Sequence, residues 1–182
     1  MRSRFSLLPR LFLTCLFSYC SLYGQTSNAK NEDIYPLLSE DMANAEIVLM
    51  TGKVVKIKDL SGGVLVFTFI NEDGPARLLL AKLNKLQKEF PDGRLYILGI
   101  TTEIGASEQT AFRELVKRTG IKFETGIADR AFFTACEKIS MFPDAAQTFV
   151  VRNGRLRGIF TGTSTITDKQ MIEFVHQILN GS

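Results

Sequence analysis

The sequence predicts an α/β fold with three layers, in which helices cover both faces of a central mixed sheet. Residues 64–70 are almost continuously apolar, as in a strand that is covered on both faces. Residues 76–90 follow with apolar side chains at helical spacing, and residues 94–101 form a second apolar run. A strand, a helix and a strand in this order form a βαβ unit, which implies two parallel strands.

A β-hairpin is predicted on each side of this unit. Residues 46–50 and 53–57 are short strand-like runs, which indicate an N-terminal hairpin extension. Asn153-Gly154 separates two further β-runs, and this dipeptide is the strongest short hairpin signal. Ser107 is the expected cap of a second helix, and Thr167 or Asp168 is the expected cap of the last helix. The other predicted elements are strands within residues 121–127, 147–152 and 155–161 and helices at residues 108–119, 130–140 and 168–179.

The N-terminal residues 1–24 differ from the rest of the chain. Arg2, Arg4 and Arg10 give them a basic start, and residues 11–24 carry no charge. This uncharged run has ~14 residues, fewer than the ~20 that a membrane-spanning helix needs. The pattern predicts a signal peptide, and hence an exported protein that is periplasmic or secreted. An uncleaved N-terminal anchor is the alternative, and it would be the only contact with a membrane.

One globular domain is expected after this segment. Residues 25–42 are polar and mixed, except for a more apolar stretch at 34–38, and are interpreted as a linker that contains a docking segment. The domain itself is placed at residues 43–182, a length that suits one hydrophobic core.

The composition excludes several classes of function. The net charge of the whole chain is +3, but residues 1–24 hold three arginines and no acid, so the remaining chain is neutral. Neutrality gives no support to a nucleic-acid partner. Cys136 is the single cysteine outside the predicted signal peptide, and His176 is the single histidine. An internal disulfide and a four-ligand zinc site are therefore excluded, and we expect no metal and no cofactor.

The order of these elements resembles the thioredoxin fold. It is most similar to the exported thioredoxin-like proteins that reduce disulfides, including those that serve cytochrome maturation, and peroxiredoxins share much of the layout. The resemblance covers roughly residues 43–180. It is carried by the lead-in hairpin at residues 49–60, the central strand at 64–69, the helix end and next strand at 90–100, and the late hairpin at 148–156.

The resemblance implies a degenerate active site. The family places Cys-x-x-Cys where the central strand meets its helix; the helix N-terminus lowers the pKa of the first cysteine, and the second releases the product. In this sequence the loop reads Asp73-Gly74-Pro75-Ala76-Arg77, with Asp73 and Ala76 at the cysteine positions. Neither residue can exchange disulfides, so no catalytic residue is expected there.

A second family feature is a cis-proline that faces the redox loop, just before the late hairpin. Ala146 occupies the corresponding position, and Pro143 lies three residues earlier. A cis bond without proline costs roughly 2.5–4 kcal/mol, so the resemblance implies that the cis turn is absent or has moved to Pro143. The residues predicted to bind a partner are Asp73, Gly74, Pro75, Arg77 and Ala146.

Two functions remain open at this point, with a structural domain of a larger envelope assembly as a third possibility. A family scaffold whose redox loop lacks both cysteines favours a protein that binds a protein or peptide partner and assists the folding or assembly of envelope proteins. The alternative is a thiol-disulfide oxidoreductase or a peroxidase-type enzyme that acts through Cys136 or through a partner's thiols. We expect Cys136 to be a small core residue, because it shares a helix face with Phe132, Phe133 and Ile139.

The remaining polar groups are interpreted as structural. Glu72 and Asp73 are expected to form a solvated turn and a helix cap rather than a cation site. His176 is expected at the surface, because no second metal ligand or catalytic partner accompanies it. The three arginines around the late hairpin are expected to form a solvated face; they are Arg152, Arg155 and Arg157.

Overall fold

The structure is a computed structural model, and all the residues that it describes belong to the second of the two units into which the chain divides, Asn31–Ser182. The signal-peptide or anchor prediction for residues 1–24 therefore lies outside the described residues. Among the helices of the described part, none is long and apolar enough to cross a membrane. The described ranges are residues 34–60, 63–70, 74–102, 105–140, 147–161 and 166–181.

A single mixed sheet contains every named strand of the described residues. The strands are β1 (Glu46–Leu49), β2 (Val54–Lys56), β3 (Val64–Phe69), β4 (Leu95–Thr102), β5 (Glu124–Ala128), β6 (Gln147–Arg152) and β7 (Arg155–Thr161). They lie in the order β2-β1-β5-β4-β3-β6-β7. The pairs β3–β4 and β4–β5 are parallel, and the other pairs are antiparallel. The predicted βαβ unit and both predicted hairpins are confirmed.

Helices cover both faces of this sheet, which confirms the predicted α/β class. Three of them, α2, α3 and α5, pack on one face, and α1 and α4 pack on the other. A short 3-10 turn at Ile57–Leu60 follows β2. The helices are α1 (Glu40–Ala43), α2 (Gly74–Glu89), α3 (Ala106–Thr119), α4 (Arg130–Ile139) and α5 (Asp168–Asn180).

The central strand β3 contributes side chains to two apolar cores, because successive side chains of a strand point to opposite faces. Val64 and Val66 pack beneath α2, α3 and α5. Leu65 and Phe67 pack on the other face, against α1, α4 and the first hairpin. All four side chains are at most 1% exposed. Burial of a side chain of this size contributes about 1.5–3 kcal/mol, which explains why positions on both faces of this strand are apolar.

Local signals set the ends of the helices and the last turn. Thr167 forms a capping box with Gln170 at the start of α5, as predicted for a threonine cap. Asn153 and Gly154 both have positive φ, 52° and 70°, which suits the tight turn between β6 and β7. The Ser107 cap prediction is wrong, because α3 begins at Ala106 and its N-cap is Gly105, which has no side chain to accept a bond.

Residues 34–43 pack against the domain, although the sequence analysis assigned most of them to a linker with a docking segment. Leu37 forms an antiparallel bridge with Arg155 of β7. Ser39 caps α1 by accepting a hydrogen bond from the Met42 amide, and the Met42 side chain is fully buried. Ordered contacts with the domain thus begin before residue 43. Residues 25–33 lie outside the described part.

Candidate functional site

The candidate site lies at the sheet edge where β3 ends and β6 begins. The carboxyl ends of the parallel strands β3, β4 and β5 share this edge, and antiparallel pairing of Thr68 with Thr148 brings the start of β6 to it. Beyond β3, the Ile70 amide donates to the Ile100 carbonyl at 2.8 Å, which keeps the chain beside β4. We call residues 70–77, where β3 leads into α2, the junction.

The structure confirms that a helix starts at the junction. Gly74, Pro75, Ala76 and Arg77 are the first four residues of α2. Proline suits the first turn of a helix because its missing N–H has no acceptor there anyway. The other free N–H groups and the helix dipole make this end favourable for a negatively charged or hydrogen-bond-accepting group. Asp73, Pro143 and Ala146, which the sequence also assigned to this site, lie outside the described residues.

An exposed leucine follows the first turn of α2. The Leu78 side chain is 69% exposed, whereas the next two leucines, Leu79 and Leu80, are 5% and 3% exposed. The apolar face of α2 is therefore already buried without Leu78. A large apolar side chain is thus left in solvent within one turn of the junction.

Two buried threonines tie β3 to β6 beneath the junction. The Thr148 hydroxyl donates to Thr68 Oγ1 at 2.9 Å, and the Thr68 hydroxyl donates to the Gln147 carbonyl at 3.0 Å. Both threonine side chains are fully buried, so neither hydroxyl could bond to water instead. The sequence analysis missed this pair; its signal was a threonine inside each of two otherwise apolar strands.

On the opposite face, a cluster of phenylalanines fixes α4 to the end of β3. The rings of Phe67 and Phe149 stack at 4.8 Å with 10° between their planes. Phe69 meets Phe133 edge-on at 5.0 Å, and Phe67 lies 5.6 Å from Phe132. Such ring pairs add about 0.5–1.5 kcal/mol to the effect of burial. These contacts fix α4 and β6 to the end of β3, from which the chain enters the junction.

No family model and no curated protein sequence matches the chain significantly. Solved structures do match. A thiol:disulfide interchange protein of the thioredoxin family from Chlorobium tepidum TLS is 17% identical over 75% of this chain and 94% of its own, with a TM-score of 0.62.

The protein has a thioredoxin-like fold.

Two further solved structures with a similar fold come from the two classes of redox protein that the sequence resembles, the disulfide oxidoreductases and the peroxiredoxins. A secreted disulfide oxidoreductase of Mycobacterium tuberculosis is 12% identical, over 76% of this chain and 98% of its own, with a TM-score of 0.57. A peroxiredoxin Q variant of Xanthomonas campestris is 14% identical, over 82% and 98%, with a TM-score of 0.60. At these identities the likeness concerns the fold.

The thiol of this thioredoxin-like domain lies in its core. Cys136, on α4, is 1% exposed and packs in the core that contains Phe67 and Phe132. Burial, with a smaller effect from the charge of Glu137, raises the pKa of the thiol far above its ordinary value. Since the thiolate is the nucleophile, this sulfur is unreactive in the folded state. The prediction that Cys136 is a core residue is confirmed.

The predicted inner face of α4 needs one correction. Phe132 and Cys136 are buried as expected, but Ile139 is 40% exposed. Ile139 continues the same helical stripe, yet it is the last residue of α4, so no following turn covers it. Phe133 is half-buried against Phe69.

The described residues contain no metal site. No group of three His, Cys, Asp or Glu side chains in that part of the chain could hold an ion. His176 is exposed, as predicted, and its ring lies 4.6 Å from that of Phe90. Glu72, the neighbour of Asp73, lies outside the described ranges.

Proposed function

We propose that this protein is an exported thioredoxin-like domain that binds a protein or peptide partner at the junction and carries out no thiol chemistry. One observation carries the proposal. The strand and helix that mount the family's thiolate are present, but the sequence has Asp73 and Ala76 at the sulfur positions, while the remaining thiol of the domain, Cys136, is buried. Export rests on the basic and apolar pattern of residues 1–24.

The chemistry of the junction supports a binding role. The start of α2 offers free backbone N–H groups, which suit a carbonyl or carboxylate of a partner. Leu78 adds exposed apolar area next to them, and burial of apolar area is the main favourable contribution to most protein association. The proposed contact residues are Asp73, Gly74, Pro75, Arg77, Leu78 and Ala146. A partner held there would be assisted in folding or assembly without electron transfer.

The test reverses two charges at the junction and measures which proteins still co-purify with the chain. We expect Asp73→Lys and Arg77→Glu, combined in one chain, to remove specific partners that co-purify with the wild-type protein. The matched control is Lys117→Glu, an exposed side chain in the last turn of α3. The start of α3 follows the carboxyl end of β4, so its last turn lies at the sheet edge opposite the junction. Identical partner profiles for all three proteins would contradict the proposal.

Enzyme assays separate the binding role from thiol chemistry. Wild-type protein is expected to show no insulin-disulfide reduction and no peroxide turnover, because the only thiol of the domain is protonated and enclosed. Activity that Cys136→Ala abolishes would establish a one-cysteine enzyme instead.

A further inference from the structure

A short N-terminal segment occupies the outer edge of β7. The Leu38 amide donates to the Gly154 carbonyl, and the Leu156 amide donates to the Pro36 carbonyl, both at 2.9 Å. These two bonds surround the antiparallel bridge between Leu37 and Arg155. We call residues 35–38 the strap. Within the described residues, β7 is the last strand at this side of the sheet, so the strap lies on an open strand edge.

Two hairpin arginines hold the strap in place instead of forming the predicted solvated face. Arg155 Nη1 donates to the Tyr35 carbonyl at 2.7 Å. The guanidinium carbon of Arg157 lies 4.0 Å from the centre of the Tyr35 ring, a cation–π contact. A bulge sets this contact up, because Val150 pairs with Gly158 and Val151 pairs with Leu156, which leaves Arg157 as the extra residue of β7.

The strap is built to be short. Pro36 has no N–H, so it cannot return a bond to the Leu156 carbonyl and the ladder cannot continue in that direction. Among the apolar side chains of this segment, Leu37 is 65% exposed and the preceding Ile34 is 68% exposed, whereas Leu38 is half-buried and packs against the core beneath α1 and α4. The strap is therefore held by two backbone bonds, by the two arginines and by the Leu38 side chain.

We propose that the strap prevents a second copy of this chain from pairing with the exposed edge of β7. An open edge presents unpaired N–H and C=O groups that template pairing with another strand. A two-fold pairing of β7 with β7 aligns the start of one strand with the end of the other. A strap on the start of β7 therefore obstructs both ends of that ladder. This inference is independent of the proposed partner site, which lies at the opposite end of β6.

Two variants of the full-length chain open the strap in different ways. Tyr35→Ala removes the ring from Arg157, and Leu38→Pro removes the donor to the Gly154 carbonyl. Matched controls are Ile34→Ala and Leu37→Ala, which shorten exposed side chains of the same segment. The measurements are sedimentation equilibrium over a range of concentrations and hydrogen exchange of the Leu156 amide.

If the strap prevents this pairing, the wild-type protein and the two controls are expected to be monomeric. The two strap variants are expected to double in mass as concentration rises, with fast exchange of the Leu156 amide in dilute solution and slow exchange in the dimer. Fast exchange in variants that stay monomeric would overturn the proposal. Unchanged exchange in both variants would also overturn it, because the strap would not be held by these contacts, and so would a wild-type dimer formed through β7.

Discussion

A redox thioredoxin-like site must combine an exposed helix start with a thiol, and in this protein the start of α2 and the α4 helix each meet only one of these two requirements. The first turn of α2 has the position, at the carboxyl end of β3 and next to solvent-exposed Leu78, but no sulfur. The α4 helix has the sulfur, but Cys136 packs against phenylalanines and is 1% exposed. Reactivity needs a thiol where a helix N-terminus or a cation stabilises the thiolate. The comparison teaches that in this thioredoxin-like domain the two requirements fall on different helices, since the start of α2 carries no cysteine and the Cys136 thiol is buried.

The largest expected effect comes from the packing that encloses the α4 thiol. Phe67→Ala removes a fully buried ring that contacts both Phe132 and Phe149. We expect the free energy of unfolding to fall by about 3–5 kcal/mol, because the cavity cannot collapse between two strands and a helix. Urea denaturation measures it. A loss below about 1 kcal/mol would mean that the core around Cys136 is loosely packed, which would contradict the description of this thiol as enclosed.

A smaller loss is expected beneath the α2 junction. Thr68→Val leaves the Thr148 hydroxyl buried without its acceptor, which costs about 1–3 kcal/mol of unfolding free energy. Adding Thr148→Val removes both hydroxyls, so the double variant should be less destabilised than the sum of the two single variants. Additive losses in urea denaturation would show that the two threonines are not coupled.

The pH dependence of stability tests the burial of the thiol. Because the pKa of Cys136 is raised in the folded state, folded and unfolded chains bind the same proton below the ordinary thiol pKa of 9.0, and stability is unaffected there. Above that pH the unfolded chain loses the proton and the folded chain keeps it, so stability falls by up to about 1.4 kcal/mol per pH unit. Cys136→Ala should lack this component. Equal slopes for both proteins above pH 9.0 would contradict the assignment.

The smallest effect is expected at the exposed side of α2. Leu78→Ala should change the free energy of unfolding by no more than about 0.5 kcal/mol, because the side chain is 69% exposed. The same variant should weaken capture of the partner. A large loss of stability would mean that Leu78 belongs to the core, and the junction would lose its apolar anchor.

Much of this fold could be predicted because its strongest signals are local. The apolar run of β3, the Asn153-Gly154 turn and the Thr167 cap each depend on neighbours in the sequence. The misplaced cap at Ser107 and the misjudged Ile139 are errors of helix ends, where the pattern that defines a helix stops.

The features that sequence patterns missed are contacts between distant residues. Thr68 and Thr148 lie 80 positions apart, and Arg155 and Tyr35 lie 120 positions apart. Such pairs arise from strand order and edge exposure, which no local pattern encodes. For the candidate site, the sequence identified the junction and the core thiol, but it gave no sign that Leu78 remains exposed when its neighbours are buried.

The most direct test of the account is insulin-disulfide reduction by the wild-type protein and by the double variant Asp73→Cys and Ala76→Cys. The account predicts no activity in the wild-type protein and a gain of activity in the double variant, because the two substitutions place cysteines at the positions at the start of α2 that the family uses for its thiols. Reduction by the wild-type protein that disappears in Cys136→Ala would contradict the account.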